Sequence, residues 1–311
     1  MLPIFLAPLR GVTLAPFRKL FGERFSGVSG ALAPFIALGA PGKMPPTKVL
    51  ADIFPAACGA IPTVPQAIGK DPAALRSMAL ALRDLGYDRL NLNCGCPWKF
   101  VAKKGRGSGL PENEDAFRRM LEAGCEAMPG GFSIKIRLGY ATPDTLEKRA
   151  ALINAFPLRE VIVHPRTGVQ MYDGPVDLDR FGTALHLLRH PVVYNGDVFT
   201  PEDAARILRR YPAVSGIMIG RGLCANPCLA EEILSGPLPT DEKRRRAAEF
   251  ADALAQTYAA QLCGPAPLMG RLKELWGYLH TTFEDGSNGL RRIQRATTLS
   301  DLQDAIRALV Q

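Results

Sequence analysis

The chain has 311 residues, of which 47% are hydrophobic, and a formal net charge of +8 at pH 7. This composition predicts a folded protein with a sizeable core, and no apolar run reaches the roughly 18 residues of a membrane helix. The apolar stretch in the first seven residues is too short for a secretion signal and lacks the basic start of one. Seven cysteines outside a small disulfide-rich scaffold indicate a reducing compartment, so we expect a cytoplasmic protein without membrane contact.

Apolar runs and helical patterns alternate through the first three quarters of the chain. The predicted strands cover residues 4–7, 27–32, 63–68, 89–93, 132–137, 160–164, 192–195 and 216–219. Helical patterns cover residues 72–85, with Asp71 as N-cap, and residues 114–128, 143–155 and 201–210, the last two opening with proline. Eight strands that alternate with helices predict an α/β protein, a (β/α)8 TIM barrel.

A second unit is predicted after a Gly- and Pro-rich linker near residues 235–240. Helical patterns there cover residues 241–262, 265–279, 290–296 and 299–309, with Thr240 or Asp241 as the first N-cap. We therefore predict a catalytic barrel over residues 1–236 and a small helical bundle over residues 240–311. The excess charge lies in the barrel part, because residues 1–239 hold 28 Lys and Arg against 21 Asp and Glu, which is +7. A basic face favours a polyanionic partner.

The turn after the fourth predicted strand carries two thiols, Cys94 and Cys96, which Gly95 separates. Exposed cations follow on a predicted flexible loop, and we expect them to lower the pKa of a neighbouring thiol so that it exchanges a proton near neutral pH. A zinc site is disfavoured, because the spacing is short and residues 224 and 228 hold the only other close pair. A disulfide between such close neighbours would be strained. Cys94 is a candidate for a buried packing residue without a chemical role if it points into the barrel.

Polar residues recur at the predicted strand ends, where a barrel of this class binds its ligand. Lys135 lies in an apolar strand, where an unpaired cation is costly, so a ligand anion is favoured over a structural ion pair. His164 is either a core histidine or a ligand contact. Gly196, Gly220 and Arg221 follow strands seven and eight, where barrels commonly bind phosphate. These features fit a planar phosphorylated cofactor such as FMN. On these residues alone, FMN is favoured only modestly over other phosphate ligands.

The segment from Asn93 through Cys96 and Pro97 to Val101, before a Gly-rich loop, resembles the signature of the tRNA-dihydrouridine synthases. Its Asn-Cys-Gly-Cys-Pro form is most similar to the C-type bacterial branch, which reduces the uridine at position 16 of the tRNA D loop. The resemblance implies that Cys96 is catalytic, that FMN is the cofactor and that NADPH is the reductant. It also implies that FMN contacts Pro8, Leu9, Arg10, Gln66, Lys135, His164, Asn195, Gly196, Asp197, Gly220 and Arg221.

Residues 271–279 resemble the signature helix of that branch's tRNA-recognition domain. The resemblance and the charges together give the expected tRNA-binding residues, which are Asn93, Lys99, Lys103, Lys104, Arg106, Arg271, Lys273, Tyr278 and Gln294. At about 100° per residue, Arg271 and Lys273 point roughly 200° apart, so both reach one RNA only if the helix bends or one contact is long.

The sequence therefore predicts an FMN- and NADPH-dependent enzyme that reduces the C5=C6 bond of a tRNA uridine to 5,6-dihydrouridine. No metal site and no protein partner are implied. Two alternatives stay open. One is a flavin barrel acting on a free pyrimidine, similar to a dihydroorotate dehydrogenase, although such an enzyme needs neither a basic loop nor a helical tail. The other is a tRNA-binding protein without turnover.

Overall fold

A computed structural model describes residues 2–43 and 45–310, apart from the side chain of Lys48, so both outer bounds of the predicted domains, residues 1 and 311, lie outside it. The strands in this part of the chain pair in parallel. The strands β1 to β10 are Ile4–Leu6, Val28–Leu32, Ile36–Ala37, Thr63–Val64, Gln66–Ile68, Leu90–Cys94, Phe132–Gly139, Val161–Thr167, Val192–Asn195 and Gly216–Ile219.

The ten strands occupy the eight strand positions of a closed barrel, because two of these positions are each made of two short strands. Pro65 lacks a backbone N–H and separates β4 from β5, which pair with β2 and β3 respectively. β4 and β5 thus form one strand position of the barrel, and β2 and β3 likewise form another. Because β1 pairs with both β10 and β2, while β5 pairs with β6, the sheet closes on itself. The predicted (β/α)8 barrel is confirmed.

Helices connect and cover the strands. The α-helices α1 to α15 are Ala15–Arg24, Thr47–Leu50, Pro55–Cys58, Pro72–Asp84, Lys99–Ala102, Glu114–Ala127, Thr145–Asn154, Leu178–Leu187, Pro201–Arg210, Arg221–Ala225, Leu229–Ser235, Thr240–Gln261, Pro265–Leu279, Gly286–Arg295 and Leu299–Val310. Short 3-10 turns cover Gly107–Gly109 and His280–Thr282. None of the helices in the described ranges is long and apolar enough to cross a membrane.

Local chemistry explains several helix starts. The Asp71 carboxylate accepts hydrogen bonds from the N–H groups of Ala73 and Ala74, which confirms it as the N-cap of α4. α9 opens with a proline and a reciprocal capping box. Three predicted starts were wrong, and the largest difference is at α14, which begins at Gly286, four residues before the predicted start at 290. α7 begins at Thr145, two residues after the proline, and α12 has no side-chain cap because it begins directly after Pro239.

β8 continues beyond its predicted end at His164. The sequence reading stopped there because Pro165 cannot donate to a ladder. In the structure the strand continues to Thr167. Pairing with β9 already ends at Val163, so the missing N–H of Pro165 leaves no hydrogen bond unmade on the β9 side. β7 extends likewise to Gly139, with a register shift after Arg137. Both extensions bring polar side chains to the mouth of the barrel.

The core has two layers. Ala7, Leu32, Ile162, Val193 and Met218 fill the barrel interior, while a larger apolar layer lies between the sheet and the helices. Burial at about 25 cal/mol per Å² of apolar surface is the main stabilising term for both layers. The interior core is small, so the carboxyl end of the barrel is left for polar side chains.

The helices after residue 240, which we call the helical tail, pack against the barrel. Phe250 of α12 makes edge-on contacts with the rings of Phe17, Phe21 and Phe25, at centroid distances of 5.2, 6.0 and 5.4 Å. Arg246 adds an ion pair to Glu231 at 2.7 Å. The tail is therefore held in one position over the barrel edge that α1 provides. The division into two domains stays a prediction.

Candidate active site

A cavity of about 570 Å³ opens at the carboxyl end of the barrel. Its walls come from the loops after several strands and from one residue of the helical tail, Glu274. The predicted residues that line it are Pro8, Leu9, Arg10, Asn93, Cys96, Lys135 and His164. The structure thus brings together side chains that are far apart in sequence, at the end of the barrel where this fold binds ligands.

The turn that bears Cys96 is held from both sides. The Asn93 side-chain oxygen accepts hydrogen bonds from the N–H groups of Gly95, at 3.1 Å, and of Cys96, at 2.8 Å. The Cys96 carbonyl accepts from Ser108, through its N–H at 3.1 Å and its hydroxyl at 2.9 Å. Gly107 has a φ of +56°, and a Cβ there would lie 2.8 Å from the Cys96 Cβ, so only glycine fits. The thiol is therefore rigidly presented to the cavity.

A chain of buried amides supports Asn93. The Asn93 amide donates to Gln66, the Gln66 amide donates to Asn91, and the Asn91 amide donates to Ser133, each at 2.8 Å. Gln66 is only 1% exposed and does not line the cavity. The structure places this predicted cofactor contact in support of the cysteine turn, and a contact from Gln66 to a cofactor stays a prediction. Asn93, predicted for tRNA, likewise orients the turn.

The lowered pKa expected for Cys96 was wrong. Burial raises the pKa of Cys96, and a backbone hydrogen bond from Trp98 and the charges of Arg137 and Arg10 offset this only in part. The thiol therefore stays protonated at neutral pH, instead of acquiring the lowered pKa expected from the nearby cations. Cys94 is fully buried, as a packing role requires, but it packs in the apolar layer between sheet and helices and does not point into the barrel.

The basic loop after Cys96, which the sequence predicted to be flexible, contains two short helical turns. Lys99 begins the short helix α5, and Gly107–Gly109 form a buried 3-10 turn against the cysteine. The side chains of Lys99, Lys103 and Lys104 point to solvent, and none forms an ion pair within the described residues. Arg106 is half-buried. The glycines therefore position Cys96, while the lysines form an exposed basic surface beside it.

Basic side chains crowd the floor of the cavity. Burial, followed by the charge of Arg137, lowers the pKa of Lys135 to about 7. Burial also lowers the pKa of His164 well below its ordinary value, and the charges of Arg137, Lys135 and two further arginines add to this effect. His164 is thus neutral, and its ring nitrogen lies 3.3 Å from the Arg166 guanidinium. Such unbalanced positive charge favours an anionic ligand.

Asp197 is the carboxylate that pairs with this cluster. It accepts hydrogen bonds from Arg166, at 3.0 Å, and from Arg221, at 2.7 Å. Burial alone would raise the pKa of Asp197, but the hydrogen bonds and charges of the two arginines lower it overall. Arg221 also lies over the ring of Tyr172, with its guanidinium carbon 4.8 Å from the centroid. Asp197 therefore fixes the direction of Arg221, whose other donors stay available.

A smaller cavity, of about 60 Å³, lies beside this arginine. Side chains are excluded around it, because a Cβ on Gly196 would lie 2.4 Å from the Tyr194 hydroxyl and one on Gly222 would lie 2.0 Å from a carbonyl oxygen. Predicted residues that line it include Asn195, Gly196, Asp197, Gly220 and Arg221. Lys135 and His164 border both cavities, so a long ligand could reach from one into the other.

The predicted tRNA contacts of the helical tail point in different directions. Arg271 donates to the carbonyl of Gly11 in the barrel at 2.6 Å, next to the large cavity. Lys273 donates to the carbonyls of Gln294, at 3.0 Å, and Ala296, at 2.7 Å, and so caps the end of α14. The expected divergence of the two side chains is confirmed. The Gln294 amide donates to the Lys273 carbonyl, so this pair holds α13 to α14.

Tyr278 lines a further cavity of about 580 Å³ between the tail and the loops after β9 and β10. Its position faces the barrel mouth, unlike that of Lys273. RNA binding by Tyr278, Arg271, Lys273 and Gln294 stays a prediction, and the present contacts give the last two a packing role that the sequence did not show.

Several residues of the site were missed by the sequence reading. Arg166 is only 1% exposed and connects His164 to Asp197, and the β-pattern of alternating side chains could have placed it beside His164. Tyr172 lies between two guanidinium groups, with Arg137 5.3 Å from its ring centroid. Its loop has no periodic pattern, so no sequence signal marked it. Glu274 comes from the tail and reaches the cavity only through the docking of α13.

The remaining close cysteine pair is buried. Cys224 and Cys228 lie in the apolar layer, and burial raises the pKa of both thiols. Within the described part of the chain, no group of three or more potential metal-ligating side chains comes together. The pair behaves as core packing.

Solved structures share this architecture. A mutant of morphinone reductase, solved in complex with tetrahydroNAD, matches 76% of this chain and 87% of its own, with a TM-score of 0.54 and 12% sequence identity. An old yellow enzyme homologue from Zymomonas mobilis matches 76% of this chain and 89% of its own, with a TM-score of 0.54 and 13% identity. These likenesses define the fold class, a (β/α)8 barrel, with its ligand end at the mouth described above.

The sequence gives the family. The sequence model of the protein family described as dihydrouridine synthase matches residues 5–306, so the chain belongs to the dihydrouridine synthase family. A probable tRNA-dihydrouridine synthase of Rhodobacter capsulatus is 30% identical over 84% of this chain and 80% of its own. A tRNA-dihydrouridine(16) synthase of Shigella flexneri is 26% identical over 98% of both chains. A Pseudomonas syringae protein of that same name is 29% identical over 75% of this chain and 74% of its own.

Proposed function

We propose that this protein uses FMN and NADPH to reduce a uridine of the tRNA D loop to 5,6-dihydrouridine. One observation carries the proposal beyond family membership. A rigidly held, protonated cysteine, Cys96, shares one cavity with the basic pair Lys135 and His164. The reaction needs a proton donor beside a bound hydride donor, because a proton and a hydride must reach adjacent carbons of one ring, and the basic pair would hold the anionic cofactor that supplies the hydride.

The residues around the two cavities fit FMN. The small cavity has glycine-lined backbone and the directed donors of Arg221, which suit a phosphate. Lys135 has no hydrogen-bond partner among the described residues, and its desolvated amine would regain its proton beside an anion. The cavities share Lys135, His164, Pro8 and Leu9, which supports a ligand with a phosphate at one end and a flat ring at the other. When bound, FMN would supply hydride chemistry at C6 of the uracil.

Cys96 holds the proton for C5. Its raised pKa keeps the Sγ protonated at neutral pH, as a general acid requires. Hydrogen bonds with Asn93 and Ser108 fix the backbone of the turn, from which Cys96 lines the cavity. Overall, the C5=C6 bond becomes a single bond, C6 gains a hydride, C5 gains a proton and NADPH is oxidised. Solvent restores the proton on the thiol.

A polynucleotide substrate is supported by the surface beside the cavity. Lys99, Lys103 and Lys104 are exposed and would bind phosphates, and the target base must leave its stack to reach the thiol. The name shared by the Shigella and Pseudomonas relatives favours position 16 of the D loop. Action on tRNA is consistent with a cytoplasmic location.

The decisive test compares two thiols that lie two residues apart. Cys96→Ala should keep FMN and tRNA binding but stop dihydrouridine formation in single-turnover assays with the flavin reduced beforehand. Cys94→Ala is the matched control, because Cys94 packs in the apolar layer and should leave turnover nearly unchanged. If the Cys96 variant were active and the Cys94 variant inactive, the reaction would depend on Cys94, and the proposed role of Cys96 would be wrong. Reduction of free uracil or orotate in preference to tRNA would favour the dihydroorotate dehydrogenase-like alternative.

A further inference from the structure

Exposed apolar side chains are concentrated at the mouth of the barrel. Among the described residues, six of the nine large hydrophobic side chains that are exposed follow the carboxyl ends of β6, β8 and β9. The other three, Val49, Leu80 and Leu187, lie singly elsewhere. Clustered exposure of this kind marks an interaction surface. The six residues are Trp98, Phe100, Val169, Met171, Tyr172 and Phe199.

Trp98 and Phe100 are the most exposed of these side chains, at 58% and 77%. Trp98 lines the large cavity together with Cys96. Its carbonyl accepts hydrogen bonds from the N–H groups of Val101, at 2.8 Å, and Ala102, at 2.9 Å, which fixes it at the start of α5. The backbone thus presents Trp98 to solvent at the rim of the cavity and Phe100 to solvent two residues further along the chain, and neither exposed ring contributes to the core.

The charge around these rings indicates what covers them. Lys99 lies between the two aromatic residues, Lys103 and Lys104 follow one helical turn later, and residues 89–111 contain no Asp or Glu. These lysines form no ion pair within the described ranges. Exposed aromatic rings flanked by free cations are the features with which proteins bind unpaired nucleotides, because bases stack on the rings and phosphates pair with the cations.

We propose that Trp98 stacks on the nucleobase next to the uridine that enters the cavity, and that Phe100 extends this stacking surface to the following nucleotide. This inference rests on the proposed function and adds a positioning role to it. Extrusion of a base removes its stacking with its neighbours. An indole at the rim of the cavity can replace the lost partner and hold the strand so that the extruded uridine stays at the thiol.

The protein carries a built-in reporter of such stacking. It has two tryptophans, and Trp276 is only 1% exposed, so Trp98 is the one that solvent and ligands reach. Unmodified tRNA and a short oligouridylate should both quench the emission of Trp98 in the holoprotein. Heparin, a polyanion without bases, should bind the lysines without such quenching. Trp98→Phe serves as the blank, because its remaining emission comes from Trp276 and corrects for absorption by the RNA.

Affinity measurements with matched variants complete the test. Trp98→Ala should bind oligouridylate roughly 5- to 100-fold more weakly, the range expected for loss of one base–aromatic stack. Trp98→Phe should retain most of the affinity, since a smaller ring still stacks. Leu80→Ala is the control, because Leu80 is similarly exposed, at 55%, but lies on α4 outside both cavities. For the Trp98→Ala variant we expect kcat for the tRNA to fall as well, whereas a purely structural role would lower stability and not binding.

The outcomes separate this inference from the proposed function. Equal RNA affinity of Trp98→Ala and wild type, with unquenched Trp98 emission and normal tRNA reduction, would refute stacking and leave the function intact. Quenching by oligouridylate without any tRNA reduction would support stacking and contradict the function. A blue shift of Trp98 emission with anionic phosphatidylserine vesicles, and no response to RNA, would assign the surface to a membrane and overturn the proposal.

Discussion

Replacing Lys135 by methionine tests the electrostatics of the site without touching the thiol. Burial lowers the pKa of this amine from 10.5 to about 7. At about 1.4 kcal/mol per pH unit, the charged form costs the folded protein at most about 5 kcal/mol. Because the side chain is only half-buried and borders a cavity that water can enter, we expect about 2 kcal/mol for the apoprotein.

The pH dependence follows from the direction of this shift. Below about pH 7 both the folded and the unfolded chain carry the proton, so the full cost is present. Between about pH 7 and 10.5 the unfolded state binds more protons, so stability gains with rising pH, and the cost is gone above that range. Lys135→Met should therefore be more stable than wild type at pH 6–7, by about 2 kcal/mol, with the difference closing towards pH 10.

Urea unfolding of both apoproteins between pH 6 and 10 measures this difference. Lys104→Met is the control, because an exposed lysine should change stability by less than about 0.5 kcal/mol at any of these pH values. FMN should stabilise wild type more than the Lys135 variant, since only the lysine gains a proton beside the ligand's negative charge. A stability difference that is absent, or that does not change with pH, would show that the amine is well solvated and would refute the reasoning.

The other predictions concern the phosphate end, the basic surface and the tail. Arg221→Ala should lower the FMN-to-protein ratio after gel filtration, because a directed donor fork is lost, and unchanged occupancy would remove the residue from the site. Changing both Lys103 and Lys104 to Ala should weaken tRNA binding alike for all tRNAs and flatten its salt dependence by somewhat under one ion per lost contact. An unaltered slope would leave them as solvated charges. Arg271→Ala should slow single-turnover reduction by about a hundredfold more than it weakens binding, because displacement of the substrate by about 1 Å has an effect of that size. Normal rates would make Arg271 a packing residue.

Periodic features of the fold were readable from the sequence. α13 spans Pro265–Leu279 as predicted, because its leucines recur at helical spacing between a proline start and the following turn. The barrel followed from eight apolar runs with helices between them. The phase of β6 was also readable, since Leu90, Leu92 and Cys94 alternate with Asn91 and Asn93, although the sequence reading left the direction of Cys94 open. Alternation puts it with the leucines, facing the helices.

Features that depend on tertiary packing were less accessible. The cations near Cys96 indicated a lowered pKa, but the structure leaves those lysines in solvent, where water screens them, while burial raises the pKa of the thiol. Gln66 was expected at the cofactor, and only the folded barrel shows that it bonds to Asn91 and Asn93. Tyr172 lies on an irregular loop, so its place between two arginines could not be predicted at all.

The most direct test of the central claim is the mapping of dihydrouridine in an unmodified tRNA transcript after incubation with the purified protein, FMN and NADPH. We predict dihydrouridine at a single D-loop uridine, position 16, formed in equal amount to the NADPH oxidised, and none with Cys96→Ala. Dihydrouridine at another D-loop uridine would overturn the position and keep the reaction. A transcript that binds tightly yet stays unreduced would contradict the account and make the chain a tRNA-binding protein without turnover.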